Sequence, residues 1–135
     1  MGSVTSGKRK APGRLKDFIS WFEIPAVNFQ KAVNFYSHIY GIEMETHFSV
    51  EHSMALFPSS KGIGGAIVSG PGSTPSETGP LVYLNGGSDL NVVLSRVEEA
   101  GGRVVLPKTL INEESGYFAI FIDSEGNKLA LHSKN

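Results

Sequence analysis

Glu23 and His132 are the two side chains whose type and setting best suit chemistry. Glu23 is a lone acid inside an apolar stretch, Phe18 to Pro25, FISWFEIP. A carboxylate enclosed by apolar neighbours holds its proton more tightly and can then serve as a general base. The competing reading is a carboxylate fixed by backbone or tyrosine donors, since burial without a partner is costly. His132 closes the alternating run Lys128 to His132 and is either a cavity residue or a partly exposed strand end. His47 and His52 flank a turn at Ser49 to Glu51 and could face one another, but no acid stands on the strand face a chelate would need. His38 falls on a helix, away from its apolar stripe, and reads as a solvated residue, as do Glu98-Glu99 and Glu113-Glu114.

Several other chemistries are excluded. The chain has no Cys, so it has neither a thiolate metal site nor a Cys nucleophile nor a disulfide. Gly62-Ile63-Gly64-Gly65 lacks the Lys-Ser/Thr pair of a phosphate loop and precedes a strand, not a helix. Neither a G-x-S-x-G elbow nor an H-E-x-x-H zinc helix occurs.

The elements that must position these residues can be read from periodicity. Phe18 to Pro25 is a strand of aromatic and β-branched residues. Asn28 caps a helix with apolar positions Phe29, Ala32, Val33, Tyr36, Ile39 and Tyr40, and Gly41 stops it. Strands follow at about 42–49, 52–57 and 65–69. Gly70 to Gly79, GPGSTPSETG, has no apolar anchor and reads as a linker. The pattern then restarts with a strand at Leu81 to Leu84. Ser88 or Asp89 caps a second helix with Leu90, Val93, Leu94, Val97 and Ala100 on one face, ended by Gly101-Gly102. A strand from Arg103 resumes after Pro107. The hairpin Gly116 to Ser133 closes the chain, with Asp123-Ser124-Glu125-Gly126 as its turn.

The halves superpose. A shift of 60 residues lays Trp21 on Leu81, Glu23 on Tyr83, Asn28 on Ser88 and Gly41 on Gly101. A shift of about 63 lays Ile67 on Ala130. The architecture is therefore α+β, two βαβββ modules in tandem, at about 17–70 and 80–133. A curled mixed sheet with its helices outside leaves a concave cup for a small ligand.

Residues 1–16 carry five of the twelve basic residues and no acid, which leaves seven basic against thirteen acidic residues behind them. That segment reads as a flexible basic arm, and the acidic domain at 17–135 argues against nucleic acid as a partner. No apolar run approaches the roughly 20 residues that span a bilayer, and the N-terminus lacks a signal-peptide core, so a cytoplasmic protein without a membrane partner is expected.

The chain resembles the vicinal oxygen chelate superfamily of glyoxalases, bleomycin-resistance proteins and extradiol dioxygenases. The resemblance lies in Ile19 to Pro25, in Asn28 with the helix ending at Tyr40-Gly41, in Val82-Tyr83-Leu84-Asn85, in Val97 to Gly102, and in Tyr117 to Asn127. The last is similar to an F-x-D-P-x-G-N signature, with Ser124 in place of Pro. It covers about 18 to 133, and the branch it points to is that of enzymes related to lactoylglutathione lyase.

Enzymes of that family hold one divalent metal through His, Glu or Gln from the first and last strands of each module. The corresponding positions here are Trp21, about Ile67, Leu81 and Ala130, and none is a metal ligand. No metal and no cofactor are therefore expected. What the resemblance implies is a cup that binds a small organic molecule, with Trp21, Leu81, Tyr83, Ala130 and His132 in the pocket and Glu23 as the base of any metal-free lyase or isomerase step. A non-catalytic sequestering protein is the alternative, and a displaced metal site using Glu23 and His132 is the second. Whether a reaction is catalysed stays open at this point. Family members pair their modules across subunits, so a homodimer is expected.

Overall fold

The computed structural model describes residues 11–135, so Lys8, Arg9 and Lys10 of the basic arm lie outside the described residues. Residues 11–20 are exposed and form neither helix nor strand. The first strand, expected from Phe18, begins at Trp21, and Phe18 and Ile19 stay in solvent. Their aromatic and β-branched character suits a strand, but no strand among the described residues pairs with them.

Module one runs β1 (Trp21–Ala26), α1 (Phe29–Tyr40), β2 (Glu45–Phe48), β3 (Ser53–Leu56) and β4 (Gly64–Ser69). Module two repeats this as β5 (Tyr83–Asn85), α2 (Asn91–Leu94), β6 (Arg103–Asn112), β7 (Gly116–Ile122) and β8 (Lys128–Ser133). Each forms a four-stranded mixed sheet, ordered β1-β4-β3-β2 and β5-β8-β7-β6. The first and last strands of each module pair in parallel and the others antiparallel. No described helix is long and apolar enough to cross a membrane.

Strand pairing corrects the internal register. Glu23 lies opposite Ala66 and Tyr83 opposite Ala130, so Ala66, not Ile67, is the counterpart of Ala130. Ala66 and Ile67 are both fully buried, so alternation could not show which of them faced the helices.

α1 forms as its caps require. Asn28 Oδ1 accepts from the Lys31 amide at 3.1 Å, and Gly41 takes the left-handed conformation, φ 65°, that ends the helix. The second helix is much shorter than expected. Past Leu94 the chain continues in turns with i→i+3 bonds, Arg96 N to Val93 O and Val97 N to Leu94 O. Val92, Val93 and Val97 are stiff at χ1, and Asn91 and Ser95 are indifferent helix formers, so tight turns compete well. The apolar face survives: Leu90, Val93, Leu94 and Val97 are buried. Asp89 rather than a true cap residue takes the Asn91 amide, at 3.0 Å, and that bond, with the Lys108 ammonium at 2.9 Å, lowers its carboxyl below the usual range.

One core cluster contains residues of both modules. Phe35 of α1 stacks on Phe121 of β7, with ring centroids 6.2 Å apart. The turn Asp123 to Asn127 ties the modules further. Glu125 Oε1 accepts from the amides of Val27 and Asn28, Asn127 Nδ2 donates to Pro25 O at 2.8 Å, and the Tyr36 hydroxyl donates to Asp123 Oδ2 at 2.7 Å. The signature-like motif is thus a fastening for the first strand and helix of the other module.

Burial, reinforced by the Asp123 charge and hydrogen bond, holds the Tyr36 hydroxyl well above the usual tyrosine range, and burial does the same for Tyr40. An unfolded tyrosine loses its proton near pH ~10. Above that point the folded chain binds more protons than the unfolded one, so stability falls as pH rises, and below it these groups leave stability flat. Urea midpoints should therefore drop above about pH 10, with phenolate absorbance from these rings appearing only as the chain unfolds. Phenolate formation at unchanged near-ultraviolet dichroism in a Tyr83→Phe, Tyr117→Phe background, where only Tyr36 and Tyr40 remain, would contradict the burial argument.

Ser124 stands where the signature has Pro, and its Oγ is buried without a partner among the described residues. It occupies the position after Asp123 in a turn closed by Gly126 N to Asp123 O, where Pro is favoured. Ser124→Pro should raise stability by about 1 kcal/mol in urea denaturation, by removing the orphan hydroxyl and restricting the unfolded chain.

Candidate functional site

Each sheet has one face against the core and one face away from it. Ile24, Ala26 and Ile67, with Leu84, Leu129 and Leu131, belong to the core cluster. Alternation then places Trp21 and Glu23, Tyr83 and Asn85, and Ala130 and His132 on the opposite, open faces. Trp21 is 45% and Tyr83 52% exposed, and Ala130 is covered.

Two hollows lie on these faces, with no lining residue in common. The larger, about 590 Å³, is lined by Tyr83, Leu84, Asn85, Gly87, Ile111, His132, Ser133 and Lys134. The smaller, about 150 Å³, includes Glu23, Thr74, Ser76, Thr78, Asn127 and Lys128. Tyr83 and His132 therefore come together, while Glu23 stands apart from both. Trp21, Leu81 and Ala130 line neither hollow: Leu81 is half-buried just before β5, and Ala130 lies beneath the open face beside its strand partner Tyr83.

In the larger cleft the side chains are tethered by the β6–β7 turn. His132 Nε2 donates to Ser115 O at 2.6 Å, which leaves Nδ1 as the free ring nitrogen. Lys134 Nζ donates to Glu114 O. Asn85 Oδ1 accepts from the Gly87 amide at 2.8 Å. Among the described residues neither the Tyr83 hydroxyl nor the Asn85 amide nitrogen has a partner. The Tyr83 ring lies 6.3 Å from Phe118, and the two make a partly exposed aromatic shelf.

Glu23 is exposed, so the apolar enclosure expected of it does not form within one chain. Among the described residues its one hydrogen-bond partner is the Trp21 indole N–H, which donates to Oε2 at 3.3 Å. No tyrosine or backbone donor among the described residues fixes it. The segment read as an unanchored linker forms part of the wall here. Asn127 Oδ1 accepts from Ser76 N at 3.0 Å, and Ser76 O accepts from Lys128 N at 3.3 Å. Polar anchoring of this kind leaves no apolar trace in a sequence.

The residues at the corrected metal positions, Trp21, Ala66, Leu81 and Ala130, do not fit a divalent metal. No group of three or more His, Asp or Glu close enough to hold one occurs among the described residues. Within one chain Glu23 and His132 line separate hollows and are not brought together. His47 and His52 have separate partners: His47 Nε2 pairs at 2.9 Å with Oε2 of Glu45, an acid on its own strand face where none was expected, and His52 Nε2 lies 3.3 Å from Pro71 O. His38, read as merely solvated, pairs with Glu99 across the modules.

Lys134, Asn85 and Ile111 were missed as cleft residues. Two had a visible signal. Lys134 continues the alternation Ala130, His132, and Asn85 follows Tyr83 at the same spacing. Ile111 reaches the cleft only through the pairing of β6, whose register slips three times against β7.

The sequence matches no protein-family model and no curated protein. The fold, by contrast, has many solved counterparts. A glyoxalase/bleomycin resistance protein from Albidiferax ferrireducens T118 aligns with TM-score 0.68 at 12% identity, over 88% of this chain and 100% of that one. TnmS3, an antibiotic binding protein from Streptomyces sp. CB03234, aligns with TM-score 0.60 at 24% identity, over 88% and 97%. A glyoxalase I mutant from Zea mays aligns with TM-score 0.63 at 12% identity over 85% of this chain, which spans only 43% of the maize one.

Proposed function

We propose that this chain, which has the glyoxalase/bleomycin-resistance fold of the vicinal oxygen chelate superfamily, binds a small organic molecule in the Tyr83–His132 cleft and holds no metal there. The observation that carries the reading is the cleft itself. Its volume of about 590 Å³ is that of a drug-sized site, and it joins apolar walls to a few unpartnered polar groups. Support also comes from the antibiotic-binding Streptomyces protein of the same fold.

Binding without turnover is the function this geometry favours, because Glu23, the base the resemblance implies, does not line the cleft, and His132, which does, is tied to Ser115 O with no carboxylate among the lining residues. Catalysis by Glu23 requires the two hollows to be brought together. A homodimer would do that, by setting the open face of one module against the other module's open face in a second copy. Exposed Trp21 and Tyr83 supply apolar area for such a contact. A purely monomeric species in sedimentation would remove this route to catalysis.

The test is a thermal-shift survey of small organic compounds, followed by Tyr83→Ala and Glu23→Gln variants. A ligand at a hundred times its Kd should add about 2.7 kcal/mol of stability. The shift is expected to vanish in Tyr83→Ala and to persist in Glu23→Gln. Turnover that disappears in Glu23→Gln with binding retained would instead make the protein an enzyme, and a hit indifferent to Tyr83 would move the site elsewhere.

A further inference from the structure

We infer that the ligand of the Tyr83–His132 cleft is a flat aromatic anion; this rests on the small-molecule reading above and narrows it. Three observations converge. The first is charge. Among the lining residues Lys134 is the only one with a fixed charge, and no carboxylate lines the cleft. An ammonium has three donors, and Glu114 O takes one of those of Lys134, so two remain for a ligand oxygen.

The second is donor balance. The Tyr83 hydroxyl and the Asn85 amide nitrogen have no partner among the described residues, whereas the Asn85 carbonyl oxygen is already occupied by Gly87 N. Spare donors therefore outnumber spare side-chain acceptors, which are the Tyr83 hydroxyl oxygen and, once Nε2 has donated to Ser115 O, His132 Nδ1. Such a surface suits an oxygen-rich, negatively charged group and suits a cation poorly.

The third is shape. The Tyr83 ring lines the cleft, with the Phe118 ring 6.3 Å from it, and Ile111 adds an apolar wall. Aromatic faces reward an offset-stacked planar partner by about 0.5–1.5 kcal/mol beyond area burial. The smaller hollow serves as an internal contrast. It carries Glu23, and at about 150 Å³ it is too small for the same molecule.

Two probes with one ring framework separate the parts of this inference. 8-Anilinonaphthalene-1-sulfonate carries the anion, and N-phenyl-1-naphthylamine lacks it. The sulfonate is expected to bind at least about tenfold more tightly to the wild-type protein, a difference of about 1.4 kcal/mol. Lys134→Gln should erase that preference, Lys134→Arg should keep it, and Tyr83→Ala should weaken both probes. Lys134 and Tyr83 are both exposed, so these variants should fold, which circular dichroism checks. Equal binding of the two probes, unaffected by Lys134→Gln but lost in Tyr83→Ala, overturns the anion assignment and leaves the small-molecule site standing. Binding of neither probe overturns both, and binding indifferent to Tyr83→Ala shows that the cleft is not where aromatic anions go.

Discussion

Asp123→Ala is expected to lower stability by about 3–5 kcal/mol, a large part of the roughly 5–15 kcal/mol a domain has. The carboxylate is 3% exposed and serves four donors. Oδ1 accepts from the amides of Glu125 at 2.8 Å and Asn127 at 3.0 Å, and Oδ2 accepts from Asn127 Nδ2 at 3.0 Å and the Tyr36 hydroxyl at 2.7 Å. Hydrogen bonds to a charged group contribute about 1.5–3 kcal/mol each, though not additively. The loss is worst at Tyr36, which is completely buried and cannot turn to water. Adding Tyr36→Phe to the Asp123 variant removes the orphan hydroxyl and should restore part of the stability. Urea denaturation of the two singles and the double measures the coupling. A cost below about 1 kcal/mol for Asp123→Ala would mean that the turn does not fasten the modules.

Phe35→Ala is expected to cost a further large amount, about 3–5 kcal/mol, when made alone. The ring is 1% exposed and meets Tyr36 edge-on at 4.9 Å and Phe121 in a stack at 6.2 Å. It also lies over Gly102, where an added Cβ would come within 2.7 Å of the ring and 2.5 Å of Ile122 O. Backbone on one side and two aromatic rings on the other leave little room for collapse into the space vacated, so the cavity term is near its full value. Because the ring joins α1 of one module to β7 of the other, its loss also tests how the modules cooperate. One urea transition at a lower midpoint with unchanged slope is expected. Two separated transitions would show that the core shared by the modules does not bind them into one folding unit.

Much of the fold was legible because it rests on local periodicity. Ile24, Ile67, Leu84 and Leu131 mark strands, Asn28 and Gly41 bound α1, and Asp123 with Gly126 predicts a turn that forms as expected. The 60-residue shift exposed the repeat without any knowledge of contacts. Reading failed where neighbours decide. Phe18 and Ile19 look like strand residues but have no described strand beside them. The second helix lost most of its length to competing tight turns. Gly70 to Gly79 looked free because its anchors, Asn127 and Lys128, lie far away in sequence.

The candidate site divides in the same way. Sequence alone determined that the four metal positions carry no ligand, since that depends only on residue type at roughly known places, and a slip of one residue, from Ile67 to Ala66, changed nothing. It also determined that Glu23 shares a strand face with Trp21, and His132 with Ala130, because the side-chain period of a strand is fixed at two. Only the tertiary structure decided that Glu23 is exposed and His132 part of a separate cleft, and that Lys134, Asn85 and Ile111 complete that cleft. Those facts depend on how two sheets are placed and on where distant hydrogen bonds hold the loops, and neither is encoded in the spacing of residues along one strand.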